Sequence, residues 1–269
     1  MTDRDATRDD YQDVSYRISG AAAVITIDRE DRLNAFRGRT VEELIHAFQR
    51  TYTEKGIACV ILTGAGRKAF CVGGDQKEWV ETGSYGTSQN GLFEVETLHE
   101  VIRNCPRPVI AAVNGYAIGG GHVLHVLCDV SIASEDAVFG QAGPRFGSFD
   151  AGYGTAYLAR VVGEKRAREI WFFCRQYSAA QAAEWGLVNK IVPGDELMDE
   201  ALRWADEAAA LSPTALRFLK QSFNADSASI AGLGQMAFAG LDLYTETEES
   251  NEGRQAFGEK RDPDYSKFR

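Results

Sequence analysis

Two glycine-dense turns, Phe70-Cys-Val-Gly-Gly-Asp75 and Tyr116-Ala-Ile-Gly-Gly-Gly-His122, each come after a run of strand-forming residues, Cys59 to Thr63 and Pro108 to Val113. A glycine removes the side chain that would hold a ligand off the backbone, and a main-chain N–H at the mouth of a helix donates readily to an anion. Two such donors aimed at one oxygen would stabilise charge developing on a carbonyl, often the main source of rate enhancement in acyl chemistry. Either turn alone is also an ordinary strand-to-helix connection. His122 and His125 stand three apart on the helix that the second turn opens. That spacing suits a metal, but no further ligand cluster lies near in sequence, so a packing or hydrogen-bonding role is favoured.

The chain as a whole narrows what such a site serves. Its 269 residues carry 29 Lys and Arg against 39 Asp and Glu, a formal net charge of -10, which argues against a general nucleic-acid surface. No apolar run reaches the ~18 residues that span a bilayer, and the polar start is unlike a secretory signal. A cytoplasmic protein without membrane or nucleic-acid partners is expected, with a disordered tail over residues 1–15. The five cysteines are scattered, without a Cys-x-x-Cys pair, so neither a disulfide framework nor a metal site is suggested.

The elements that must position the turns read as an α/β core. Strand-like runs occur at Ala22 to Ile27, Cys59 to Thr63, Val109 to Val113 and Val130 to Ala133, with helical periodicity at Thr40 to Thr51, Glu94 to Asn104 and Gly120 to Leu127. After Tyr153 helices dominate, among them Leu197 to Leu211 and Pro213 to Phe223, the latter with a Ser212-Pro213 start signal. Apolar residues between Ala228 and Phe257 suit a further helix that packs against another subunit or within the chain. No linker separates these parts, so residues 16–195 are read as a core and 196–269 as a C-terminal helical oligomerisation region of one unit.

Together with Asn34-Ala-Phe36, Phe139-Gly-Gln-Ala-Gly-Pro144, Gly147-Ser-Phe-Asp150 and Glu252-Gly-Arg-Gln-Ala-Phe-Gly-Glu-Lys-Arg261, the two turns resemble the crotonase (enoyl-CoA hydratase/isomerase) superfamily from about Tyr16 onward. The resemblance implies a crotonase-like ββα superhelix with a C-terminal helical trimerisation region, assembly as a trimer or hexamer, and a coenzyme A thioester as substrate. It implies that the amides of Gly74 and Gly120 form an oxyanion hole. Asp75, Gln76 and Lys77 lie in the first motif and are carried over as ligand-binding; Phe257 and Lys260 match residues that contact the adenine and phosphate ends of the coenzyme.

The reaction is narrowed by departures. Hydratases of the superfamily use two glutamates as acid and base, and here those places hold Val123 and Gly143, neither of which moves a proton. Glu100, Glu135 and Glu164 are the substitutes if the alignment slips, and none lies within the motifs. The stretch Gln141 to Gly154 is similar instead to a branch containing 1,4-dihydroxy-2-naphthoyl-CoA synthase and 2-ketocyclohexanecarboxyl-CoA hydrolase. In that branch the residue at Asp150 handles a proton, Ser148 assists, and Tyr85 hydrogen-bonds substrate from a mobile loop. Gln141 and Gly143 match the synthase subtype in which bound bicarbonate replaces the missing carboxylate. The synthase usually carries arginines where Leu33 and Trp79 stand, and both relatives place a tyrosine at Thr245. The expectation is an acyl-CoA enzyme that breaks or makes a carbon–carbon bond beside the thioester, ring opening ahead of ring closure; the rivals are a hydratase/isomerase and a silent acyl-CoA binder.

Overall fold

The structure, a computed structural model, describes residues 11–269. In chain order its strands are β1 (Val14–Ser19), β2 (Ala22–Ile27), β3 (Cys59–Gly64), β4 (Ala69–Cys71), β5 (Val109–Val113), β6 (Tyr116–Ile118), β7 (Val130–Ser134), β8 (Val138–Gly140), β9 (Gln176–Ser178) and β10 (Lys190–Val192). The helices are α1 (Gly38–Thr53), α2 (Gln76–Thr82), α3 (Val95–Arg103), α4 (Gly120–Leu127), α5 (Leu158–Val162), α6 (Glu164–Phe173), α7 (Ala179–Glu184), α8 (Leu197–Ala209), α9 (Pro213–Asp226), α10 (Ser229–Thr245) and α11 (Glu248–Glu259).

Two sheets result, ordered β1-β2-β3-β5-β7-β10 and β4-β6-β8-β9. The larger is parallel apart from the β1–β2 hairpin, and the smaller parallel apart from β8–β9. Each turn of the superhelix gives one strand to the large sheet and a short one to the small sheet: β3 then β4, β5 then β6, β7 then β8. The glycine turns therefore leave the short strands β4 and β6, not the long runs that the sequence pattern exposes. Strands of three residues are too short to display alternation, which is why they escape a periodicity reading.

Both faces of the large sheet are covered, as its near-continuous apolar strands require. Ile25, Val60, Leu62 and Ala111 face the core built with α1, α3 and α4. Their neighbours Val24, Cys59, Ile61 and Ile110 face the other way, against Leu197, Ala201 and Ala205 of α8. The four-residue spacing on α8 is one stripe of a helix laid on a sheet. Within the region read as C-terminal and helical, α8 thus packs on the large sheet. The tail expected over residues 1–15 reaches into β1. Residues 1–10 lie outside the described residues, but Asp13 is buried and Val14 opens β1. Among the described residues no helix is long and apolar enough to cross a membrane.

The apolar stretch from 228 to 257 divides into α10 and α11, because the Thr247 side chain accepts the Ser250 amide and starts a new helix. Before α5 the chain makes a π-helical turn, Tyr153–Tyr157, in which the Tyr157 amide donates to the Gly152 carbonyl at 3.1 Å. Such wide turns recur at functional sites.

Candidate active site

The two glycine turns meet. A Cβ placed on Gly73 would stand 2.9 Å from the Gly120 nitrogen, so the backbones touch where no side chain fits. A single parallel bridge joins Phe36 to Gly74: the Phe36 amide donates to the Gly73 carbonyl at 2.8 Å, and the Asp75 amide donates to the Phe36 carbonyl at 2.9 Å. That pattern uses the groups on either side of Gly74 and leaves its own N–H facing away from the bridge. Gly120 opens α4, where the first N–H groups have no acceptor in the helix. Among the described residues neither amide has a hydrogen-bond acceptor. Asn34 anchors this arrangement from full burial, donating to the Ala65 and Ala69 carbonyls at 2.9 and 2.7 Å.

Asp75 caps α2, its Oδ1 accepting the Lys77 and Glu78 amides at 3.1 Å each. Its other oxygen lies 3.0 Å from the guanidinium of buried Arg29, whose Nη1 donates to the Ala35 carbonyl at 2.6 Å. One cation thereby ties the residue after Gly74 to the segment beside Phe36. Asp75 is thus a structural clamp, and the Lys77 side chain is exposed. Tyr85 folds back onto the site, its ring Cζ 2.7 Å from where a Gly74 Cβ would be, and its hydroxyl accepts from Gln76 Nε2 at 2.6 Å. The ring packs edge-on to Trp79 and against Phe93. Burial pushes the phenol up, against the charge of Arg254 and the Gln76 bond.

Asp150 approaches from the other side. Its Oδ1 has no hydrogen-bond partner and essentially no accessible surface, although the residue as a whole is only partly buried. A Cβ on Gly154 would stand 2.9 Å from that oxygen and 3.2 Å from Val123 Cγ2, one helical turn into α4 from Gly120. Loss of solvent pushes the carboxyl from 3.8 up to about 7, with only the Gly154 main chain pulling the other way. The Trp171 indole N–H donates to the Gly154 carbonyl and steadies this turn. Sequence reasoning misses Trp171 because a tryptophan on an amphipathic helix reads as core.

The remaining expected residues lie around this centre and along α11. Gln141 is buried, its Nε2 3.2 Å from His122 Nδ1, while His125 Nδ1 is 3.2 Å from Ser131 Oγ. Both histidines pack on Phe139, and burial holds His122 down to about 3 and His125 well below its ordinary value, so both are neutral. Among the described residues no group of three His, Cys, Asp or Glu is placed to hold a metal ion.

The sequence suggests Gly143 as an opening for an anion, and here the geometry differs. A Cβ there would meet the Ser148 carbonyl oxygen at 2.7 Å, because the Ser148 amide donates back to Gly143 and closes the turn. One N–H of the Gln141 amide is turned to His122 Nδ1, and its Oε1 has no partner among the described residues. Ser148 Oγ makes no hydrogen bond to Asp150 among the described residues. Phe257 packs edge-on to Phe146 at 5.3 Å, and Lys260 is exposed at the end of α11.

Two glycine turns in contact, with the Asp150 carboxyl and Val123 of α4 both against Gly154, are carried on ββα turns. The sequence pattern of the enoyl-CoA hydratase/isomerase family matches residues 17–268, and the chain belongs to that family. Solved structures agree over nearly the whole length. An enoyl-CoA hydratase from Bacillus anthracis is 33% identical, with 94% of this chain and 99% of that one covered and a TM-score of 0.72. An enoyl-CoA hydratase from Mycobacterium avium subsp. paratuberculosis K-10 is 27% identical, with 95% and 99% covered and a TM-score of 0.84. A carnitinyl-CoA hydratase from Mycobacterium avium is 28% identical, with 95% and 99% covered and a TM-score of 0.81. The fold is thus the crotonase fold, and the chain is a crotonase-family acyl-CoA enzyme.

Proposed function

We propose that this enzyme cleaves a carbon–carbon bond next to the thioester of a cyclic β-keto acyl-CoA, opening the ring by hydrolysis. The observation that carries the reading is one carboxyl, Asp150, whose loss of solvent raises it to about 7 and which shares the space beside Gly154 with Val123, one helical turn into α4 from Gly120; Val123 and Gly143 stand where a hydratase would keep its acid and base. Water gives a proton to ionised Asp150 and adds as hydroxide to the ring ketone. The tetrahedral centre collapses, the bond to the α carbon breaks, and its electron pair moves into the thioester as an enolate. The Gly74 and Gly120 amides hold the enolate oxygen, and Asp150 returns its proton to the α carbon. The ketone carbon ends as a carboxylic acid, so one water is consumed and no other reactant is needed.

A second reading has its own support. One carboxyl suffices to carry a proton between two carbons, and the matching family is that of enoyl-CoA hydratases and isomerases, so double-bond isomerisation is the rival. The deciding experiment incubates the enzyme with 2-ketocyclohexanecarboxyl-CoA, o-succinylbenzoyl-CoA and a 3-enoyl-CoA in deuterated water, with mass spectrometry as readout. A dicarboxylic acyl-CoA from the first substrate, with at least one deuterium on the α carbon, is expected. Turnover of the enoyl-CoA alone would replace this reading with isomerisation. The assembly we expect is a homo-oligomer through α9 and α10, where Phe218, Phe223, Met236 and Leu243 are 65%, 76%, 68% and 77% exposed, far more apolar surface than a monomer keeps wet.

A further inference from the structure

Arg254 of α11 is 5% exposed, and among the described residues no carboxylate lies within the 4.0 Å of an ion pair. Its Nη1 donates to the Thr245 carbonyl at 3.1 Å, its Nε has no partner, and the Glu246 carboxylate acts on it only from farther off. Of the other buried cations, Arg29 holds Asp75, Lys220 lies 2.6 Å from Asp129, and Arg103, with no carboxylate at ion-pair distance among the described residues, donates to Ser227 Oγ and lies 4.2 Å over the Tyr157 ring. A charge taken out of water is costly unless an anion or hydrogen bonds replace the solvent, so a buried arginine with no carboxylate and with its Nε left unpartnered is an arrangement that suits an anion arriving with a ligand.

Its surroundings locate that ligand. The guanidinium sits 4.0 Å above the Trp79 ring, Trp79 packs on Tyr85, and Tyr85 lies on Gly74. This unbroken stack leads to the oxyanion turn, whereas Phe257 and Lys260 lie farther along α11, toward its end. The stack also gives the site a cation at the place where Trp79 itself offers none. We infer that Arg254 recognises a carboxylate on the acyl group, making the enzyme selective for acyl-CoA thioesters that carry a second, free acid. The inference rests on the acyl-CoA reading above and deepens it, since hydrolytic ring opening leaves such a carboxylate on its product.

The same charge could answer a phosphate of the coenzyme, and the test separates the two sources. Calorimetric titration compares pimeloyl-CoA with heptanoyl-CoA, and glutaryl-CoA with pentanoyl-CoA, pairs that differ only in the terminal group. The wild-type enzyme is expected to bind at least one dicarboxylic member about tenfold or more tighter than its neutral partner, the scale of a charge-assisted bidentate contact. Arg254→Gln is expected to erase that preference and leave the neutral ligands unchanged, with Arg254→Lys keeping part of it. Equal affinities in the wild type, or a preference that survives Arg254→Gln, would overturn the inference. So would an equal weakening of both members, which assigns the charge to a coenzyme phosphate. Because the wild-type comparison needs no variant, a misfolded Arg254→Gln does not block the decision. Failure of the wild type to bind any of the four overturns the acyl-CoA reading itself.

Discussion

Asp150→Asn tests the centre of the mechanism through stability as well as rate. The carboxyl titrates near 7 in the folded protein against 3.8 when free. An acid whose folded pKa is raised binds its proton more tightly in the native state, so the unfolded chain ionises first as pH rises. The stabilisation is complete below about pH 4 and is lost progressively as pH rises through 7. Three units at about 1.36 kcal/mol each amount to about 4 kcal/mol at most. Asparagine has nothing to ionise, so the variant should escape this loss and be more stable than the wild type at pH 8, while at pH 4 the two converge. Urea unfolding at several pH values and one protein concentration reads the difference. The same variant should lose about 10²–10⁴ in kcat, the contribution of one positioned proton donor. Parallel stability curves for the two proteins from pH 4 to pH 8 would show that the carboxyl is not held near neutrality, and the proposed proton transfer would lose its physical basis.

Two further substitutions probe the other half of the site. Gly120→Ala puts a Cβ 2.6 Å from the Phe36 ring, so overpacking should cost about 1–3 kcal/mol. Displacement of the amide should also lower kcat about 10²–10³, with thioester binding measured separately by titration; undiminished turnover would remove Gly120 from the oxyanion hole. Tyr85→Phe keeps the ring packing on Gly74 and loses the Gln76 bond, so stability should fall by only about 1 kcal/mol while KM rises. Unchanged kinetics would make Tyr85 a packing residue.

The long elements were legible because their signals are local. Apolar runs marked β2, β3, β5 and β7, and the glycine triplet marked the start of α4. Ser212-Pro213 likewise announced α9. What was not legible depends on partners distant in sequence. The three-residue strands β4, β6 and β8 exist only because each pairs with the next, and α8 joins the core because the second face of the large sheet needs a cover. Gly143 shows the hazard of reading composition without geometry. A glycine can leave room for a ligand or let the chain double back, and here the Ser148 backbone takes the space.

By itself the sequence determined which residues are proposed for the chemistry: two glycine turns able to expose amides, one carboxyl at 150, and no acid at 123 or 143. Only the tertiary structure decided what those residues become. It brought Gly73 against Gly120, stripped water from Asp150 until its carboxyl titrates near 7, and buried Arg254 over Trp79 without a counter-ion. The physical reason is that amide direction, loss of solvent and the field of a buried charge are set by atoms packed around a group, and those neighbours come from remote parts of the chain.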